Sequence, residues 1–129
     1  MIKNIRILIL EDRASDADLI ELELMEAGFS YTPKRTVNEK QFLRALEEFS
    51  PDLILSDYDL PQYNGAMALT EAKRRLPEVP FILVTGAFDK GAEQVGKILA
   101  GGACNCVLKN RLDQLAPAIH DALLTGKGA

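Results

Sequence analysis

The chain contains no tryptophan, two cysteines, one histidine and only 6% aromatic residues, and it has no low-complexity tract. No apolar run approaches the length of about eighteen residues that a membrane-spanning helix needs, which excludes a membrane span. Two cysteines cannot make a disulfide framework. Cys104 and Cys106 sit two apart on an expected strand, so their side chains point the same way without the geometry of an easy disulfide, and they read as reduced, partly buried thiols. A zinc site would want more ligands at zinc spacing, and His120 falls on a separate predicted helix. The basic excess that phosphate binding demands is missing too: the formal net charge is -4, which argues against nucleic acid as the main partner. After Met1 the chain passes through Ile2, Lys3 and Asn4 directly into a patterned segment. No signal peptide with charged, apolar and cleavage regions is visible, so a cytoplasmic protein is expected.

What is present is 129 residues, 47% hydrophobic and 26% charged, enough for one full hydrophobic core and too few for two. A single soluble globular domain is expected, with its core over about residues 4–125. The charge is uneven. Residues 1–60 carry 7 Lys and Arg against 13 Asp and Glu, while the remainder carries 8 against 6. The acidic half needs a reason.

Ile5 to Leu10 is a short branched apolar run that stops abruptly at Glu11-Asp12, as a buried strand does on reaching the surface. Ser15 followed by Asp18 resembles a capping box. Ala17, Ile20, Leu24 and Ala27 then recur at helical spacing before Gly28, with Asp16, Glu21, Glu23 and Glu26 on an acidic outer face. Phe29 to Val37 reads as a weaker strand whose Pro33 suits a sheet edge. Asn38 to Phe49 reads as a helix with an apolar stripe of Phe42, Leu43, Leu46 and Phe49. Leu53 to Leu55 repeats the first strand pattern and ends in Ser56-Asp57. Pro61, Asn64 and Gly65 mark a loop, and Ala66 to Arg75 is helical in pattern. Phe81 to Val84 ends at Thr85-Gly86, Asp89 to Leu99 gives a fourth helix, and Cys104 to Leu108 a fifth strand ending at Lys109. Arg111 to Leu115 reads as a separate turn and Pro117 to Leu124 as the last helix, since proline suits a first turn.

Five strands alternating with five helices indicate an α/β domain of βα repeats with right-handed crossovers around one parallel sheet. All strand-to-helix loops then share one edge, where ligands bind at the topological switch point. The strand ends deliver Glu11 and Asp12, Asp57, Thr85 and Lys109, and only the edge strand delivers nothing reactive. With strand order 2-1-3-4-5, the first and third strands are neighbours and three carboxylates share one crevice. Two such charges about 4 Å apart cost on the order of 4 kcal/mol at an effective dielectric near 20, so the cluster calls for cations or raised pKa values. Lys109 supplies one positive charge. An all-oxygen site with few protein ligands and room for a phosphoryl oxygen suits Mg²⁺ better than a caged Ca²⁺. Such an ion neutralises phosphoryl charge while an Asp57 oxygen attacks to form an acyl phosphate, with the Thr85 hydroxyl and the Lys109 ammonium contacting phosphoryl oxygens.

These residues give the chain a resemblance, over its whole length, to a receiver domain of the two-component response regulator family. The acid pair matches Glu11-Asp12, and the phospho-acceptor motif matches Ser56-Asp57-Tyr58-Asp59-Leu60-Pro61-Gln62-Tyr63-Asn64-Gly65. The hydroxyl residue matches Thr85 and the lysine Lys109. The resemblance implies a flavodoxin-like, doubly wound five-stranded sheet. It implies that Asp12, Asp57 and the main-chain carbonyl of Asp59 bind Mg²⁺, with Glu11 acting through water. It implies a sensor histidine kinase or histidine phosphotransfer protein as phosphodonor, an unknown downstream protein partner and the option of a homodimer, with neither nucleic acid nor membrane. The expected role is a signalling switch with self-catalysed phosphoryl acceptance and slow self-dephosphorylation, without an output domain and not otherwise an enzyme.

Two departures stand out. Cys106 replaces the family's usual aromatic switch residue three positions before the lysine, and Asn110 replaces the usual proline after it. A cis bond before Asn110 would cost roughly 3 kcal/mol, against under about 1 before proline, which leaves the setting of the lysine's loop open. Two readings from other classes fit less of the chain. A haloacid-dehalogenase-like phosphatase shares the Asp57-Tyr58-Asp59 fragment but places it after its first strand and needs a longer chain. A flavodoxin-like cofactor carrier needs a phosphate-cradling first loop, which Glu11-Asp12 would repel. A degenerate receiver serving as a phosphorylation-independent interaction module is the remaining alternative.

Overall fold

The computed structural model describes residues 4–86, 100–103 and 105–125. The expected helix over Asp89–Leu99 and the expectations for Cys104 lie outside the described residues. Five strands form one parallel sheet: β1 (Ile5–Leu10), β2 (Tyr31–Thr36), β3 (Leu53–Ser56), β6 (Phe81–Thr85) and β7 (Asn105–Leu108), in the order β2-β1-β3-β6-β7. Counting only these five, the order is the expected 2-1-3-4-5. Helices α1 (Ala14–Glu26), α2 (Glu39–Glu48) and α3 (Gly65–Arg75) follow β1, β2 and the segment after β3, and a C-terminal helix spans Leu115–Thr125.

The apolar runs form strands buried on both faces because alternate side chains enter opposite cores. Leu8, Leu10, Ile54, Phe81 and Leu83 pack toward α2 and α3 with Phe42, Leu46 and Leu69. Ile7, Ile9, Leu53, Leu55, Ile82 and Val84 pack on the other face toward α1 and the C-terminal helix with Ile20, Leu24 and Ile119. β2 is an edge, and its Pro33, Lys34 and Arg35 are exposed, a composition that discourages further strand pairing.

Helix ends follow local chemistry. Asn38 and Asn64 cap α2 and α3, accepting from the amides of Gln41 and Met67 at 2.9 Å each. Gly28, at φ +84, closes α1. Its amide donates to the Met25 carbonyl and that of Phe29 to the Leu24 carbonyl, a complete Schellman motif. The capping box expected at Ser15 does not form, because α1 starts earlier: Arg13 is its N-cap and has no side-chain capping bond. The Glu11 carboxylate accepts from the Arg13 amide instead, at 3.1 Å.

Three further differences bear on function. The expected loop at Pro61–Gly65 contains a two-stranded hairpin, β4 (Asp59–Leu60) with β5 (Tyr63–Asn64), turned by Pro61 and by Gln62 at φ 61. The outer face of α1 is not simply acidic, since Leu19, Leu22 and Met25 are exposed on it. The separate turn expected over Arg111–Leu115 begins earlier, as a 3₁₀ helix over Lys109–Gln114, and the last helix starts at Leu115, with Pro117 in its first turn as expected.

Candidate functional site

Because β1 and β3 are hydrogen-bonded neighbours, with Leu10 opposite Ser56, the residues that follow them emerge side by side. Glu11, Asp12 and Asp57 each place a carboxylate oxygen within 4.8 Å of the others. The Asp57 amide extends the strand pairing by donating to the Leu10 carbonyl at 3.0 Å, and the Asp57 Oδ1 accepts from the Tyr58 amide at 2.7 Å. The Asp57 side chain is therefore fixed by backbone.

Gly65 makes that placement possible. A Cβ there would meet Leu83 Cδ1 at 2.8 Å, the Asp57 carbonyl oxygen at 3.0 Å and Tyr58 Cα at 3.2 Å. The Gly65 amide donates to the Tyr58 carbonyl at 2.8 Å, just beyond the hairpin pairs Asp59–Asn64 and Leu60–Tyr63. Asp59, Asp57, Asp16, Thr85 and Lys109 line a recess of about 280 Å³. A roomier depression of about 780 Å³ lies by Asp52 and Arg75, toward the amino end of the sheet, and gathers none of the strand-end residues.

Lys109 pairs with the carboxylates of the recess, which Arg13 also lines. Its Nζ lies 2.7 Å from Glu11 Oε1, 2.8 Å from Asp16 Oδ2 and 3.1 Å from Asp57 Oδ2. Burial opposes its charge, but the carboxylates of Asp16, Glu11 and Asp57 win and hold its pKa above that of an ordinary lysine. Glu11 is shifted the other way. It is 1% exposed, and burial raises its pKa, with the Asp57 charge adding and the Lys109 contact opposing. Thr85, at the end of β6, is 2% exposed. There are no cis peptides among the described residues, and Lys109 reaches Asp57 through a trans bond to Asn110. Cys106 is half-buried against the cluster that holds Leu83, and burial raises its thiol pKa.

The structure thus gathers every site residue expected from the sequence: Glu11, Asp12, Asp57, Asp59, Thr85 and Lys109. It adds two. Asp16, expected on the outer face of α1, points into the recess. Arg35, on the edge strand from which nothing reactive was expected, has a supporting part: it donates through Nε to the Glu11 carbonyl and through Nη2 to the Asp12 carbonyl, each at 3.1 Å, and so holds the acid-bearing loop.

The donor set fits a hard divalent cation. Glu11 Oε1 is buried and lacks a hydrogen-bond partner even though the Lys109 ammonium is 2.7 Å away, because that contact is an ion pair without hydrogen-bond alignment. An oxygen-only cluster with one orphaned, buried carboxylate oxygen is what an oxygen-seeking ion such as Mg²⁺ would satisfy.

The chain matches the response regulator receiver domain family over residues 7–120. A protein-glutamate methylesterase/protein-glutamine glutaminase of Treponema denticola is 30% identical over 109 residues, covering 83% of this chain and 29% of that protein. The DNA-binding transcriptional regulator NtrC of Klebsiella pneumoniae is 36% identical over 84 residues, covering 65% of this chain and 18% of that protein. The chain therefore spans under a third of the length of either relative. Among solved structures, a CheY-like response regulator receiver domain protein from Methanospirillum hungatei JF-1 superposes with a TM-score of 0.82 at 25% identity, covering 99% of this chain and 98% of that one. The signal receiver domain of a putative Luxo repressor protein from Vibrio parahaemolyticus shares the fold, with a TM-score of 0.84 at 21% identity over 96% of this chain and 93% of that one.

Proposed function

The chain belongs to the response regulator receiver domain family, and from that premise we propose that it is a phospho-acceptor switch of a two-component phosphorelay. In this reading Asp57 takes a phosphoryl group from a phosphohistidine of a sensor kinase or histidine phosphotransfer protein. The observation that carries it is the convergence of Glu11, Asp12 and Asp57 within 4.8 Å on neighbouring strand ends, opposite one lysine. Asp12, Asp57 and the Asp59 main-chain carbonyl would hold Mg²⁺, with Glu11 acting through water. Bound there, the ion supplies neutralisation of phosphoryl charge.

The chain's own residues do the rest. An Asp57 carboxylate oxygen, held by the Tyr58 amide, forms a bond to phosphorus as the nitrogen–phosphorus bond of the donor breaks and its electron pair returns to the imidazole. Lys109, already 3.1 Å from Asp57 Oδ2, then contacts a phosphoryl oxygen, and the Thr85 hydroxyl at the end of β6 contacts another. Both contacts exist only in the phosphorylated state. They draw β6 and the segment after β7 toward the new charge and repack the adjoining surface, which a downstream protein reads by docking. Cys106 offers no ring to swing behind Thr85, so the switch works through a smaller rearrangement than an aromatic one.

Intact-mass analysis after incubation with Mg²⁺ and acetyl phosphate tests this. One phosphoryl adduct is expected, absent without Mg²⁺ and absent in Asp57→Asn. No adduct under conditions that modify another receiver would refute the reading and leave a phosphorylation-independent interaction module.

A further inference from the structure

An ammonium has three hydrogens, and that of Lys109 faces three carboxylates, at 2.7 Å in Glu11, 2.8 Å in Asp16 and 3.1 Å in Asp57. Glu11 and Asp57 belong to the acid cluster; Asp16 does not. It stands in the first turn of α1, one turn past the acid pair, and its hydrogen bond to Lys109 is aligned, whereas the shorter Glu11 contact is not. Lys109 therefore has one well-formed partner that a cation in the cluster would leave alone.

That division matters because a divalent ion and an ammonium cannot share the same carboxylates cheaply. Their repulsion is twice that of two unit charges at the same distance, and it acts in a recess where solvent screening is reduced. Without Asp16, Lys109 would settle more fully on Glu11 and Asp57 and compete with the ion for them. With Asp16, the ammonium has a place to stay that is still beside Asp57, where a phosphoryl oxygen would arrive.

We propose that Asp16 is a positioning residue: it retains Lys109 when Mg²⁺ takes over Glu11 and Asp57, leaving those carboxylates to the metal and the ammonium ready for the phosphoryl group. The inference rests on the Mg²⁺ site of the function proposed above. It assigns Asp16 no contact with the ion.

Mg²⁺ titration of the purified chain by calorimetry tests it. Asp16→Asn is expected to weaken Mg²⁺ binding roughly tenfold, the lower end of the range for residues that act on a metal through another group. Asp16→Glu restores most of the loss. Asp18→Asn removes the same charge from an exposed position on the same helix and changes the affinity by less than about twofold. The decisive arm is the Lys109→Gln background, in which Asp16→Asn has no further effect if Asp16 acts through the lysine. An equal loss in both backgrounds would show a direct field effect and overturn the proposal, as would unchanged affinity in Asp16→Asn. Either result leaves the phospho-acceptor reading standing, whereas a wild-type chain that binds no Mg²⁺ overturns both.

Discussion

The two ends of the sheet solve the same electrostatic problem in opposite ways. At the amino end, Asp52 Oδ2 accepts from the Arg6 amide at 2.9 Å, and the Asp52 amide donates to the Arg6 carbonyl at 2.7 Å. The Arg6 side chain donates to the Phe49 carbonyl at 2.8 Å and lies 4.2 Å above the Phe49 ring. One acid and one base are each satisfied there. At the carboxyl end, Lys109 faces three carboxylates, Asp12 and Asp59 stand close by, and Glu11 Oε1 is buried without a hydrogen bond. The first end is built for stability. The second stores unbalanced negative charge that the two hydrophobic clusters must offset, and such a local cost is expected where function demands it.

The largest effect should come from Gly65→Ala, which forces a methyl group to within 3.0 Å of the Asp57 backbone. A loss of up to about 3 kcal/mol is expected by denaturant titration, with impaired Mg²⁺ binding as Asp57 shifts. Full retention of both would mean that the close packing at Gly65 is not what sets Asp57. Arg6→Ala probes the balanced end: about 2 kcal/mol of stability should go with its hydrogen bond and ring contact, while Mg²⁺ affinity stays as it was. A matching fall in affinity would erase the distinction between the ends.

Glu11→Gln should act with the opposite sign on stability. Burial raises the Glu11 pKa above the usual 4.5, so its ionised form is disfavoured in the folded protein. The stabilising proton is present at low pH and lost as pH rises through the folded pKa, which leaves a cost at neutral pH. Removing the charge should therefore raise the stability of the metal-free protein by about 1 kcal/mol, seen as a higher Tm, while Mg²⁺ binding falls roughly tenfold. A lower Tm would show that Glu11 is a net stabiliser through Lys109. The smallest effect is the pH dependence of the same group. Calorimetric Mg²⁺ affinity at fixed ionic strength should decline as pH drops toward and below the raised Glu11 pKa, and this decline should be weaker in Glu11→Gln. An identical decline in both proteins would assign the proton to another carboxylate.

The contrast also explains what could be read from the sequence. Apolar runs that end abruptly in Glu11-Asp12, Ser56-Asp57 and Thr85-Gly86 announce both the strands and the sheet edge that bears the site, because a doubly buried strand must stop being apolar where it reaches water. The runs do not order the strands; the order 2-1-3-4-5 rested on the resemblance to receiver domains, and the sheet has it. Asp16 was misread because helical periodicity places it outside, yet side chains in a first turn lean toward the helix amino terminus and reach past it. Its partner is 93 positions away, at Lys109, and no local pattern reports that. Arg35 was hidden for a similar reason: a long side chain on an edge strand looks like a solvated charge until the acid loop is folded against it. The Pro61–Gln62 turn held the signal for the hairpin, but a two-residue strand has no periodicity to detect. Leu19, Leu22 and Met25 were obscured by the acidic residues between them.

If the surplus acid at the carboxyl end is a metal site organised around Asp57, thermal unfolding with and without Mg²⁺ will report it. A ligand that binds only the folded state raises stability by RT ln(1 + [L]/Kd), so millimolar Mg²⁺ should raise the Tm of the wild-type chain and do so far less for Asp57→Asn. No rise in the wild type, or an equal rise in both proteins, would contradict it.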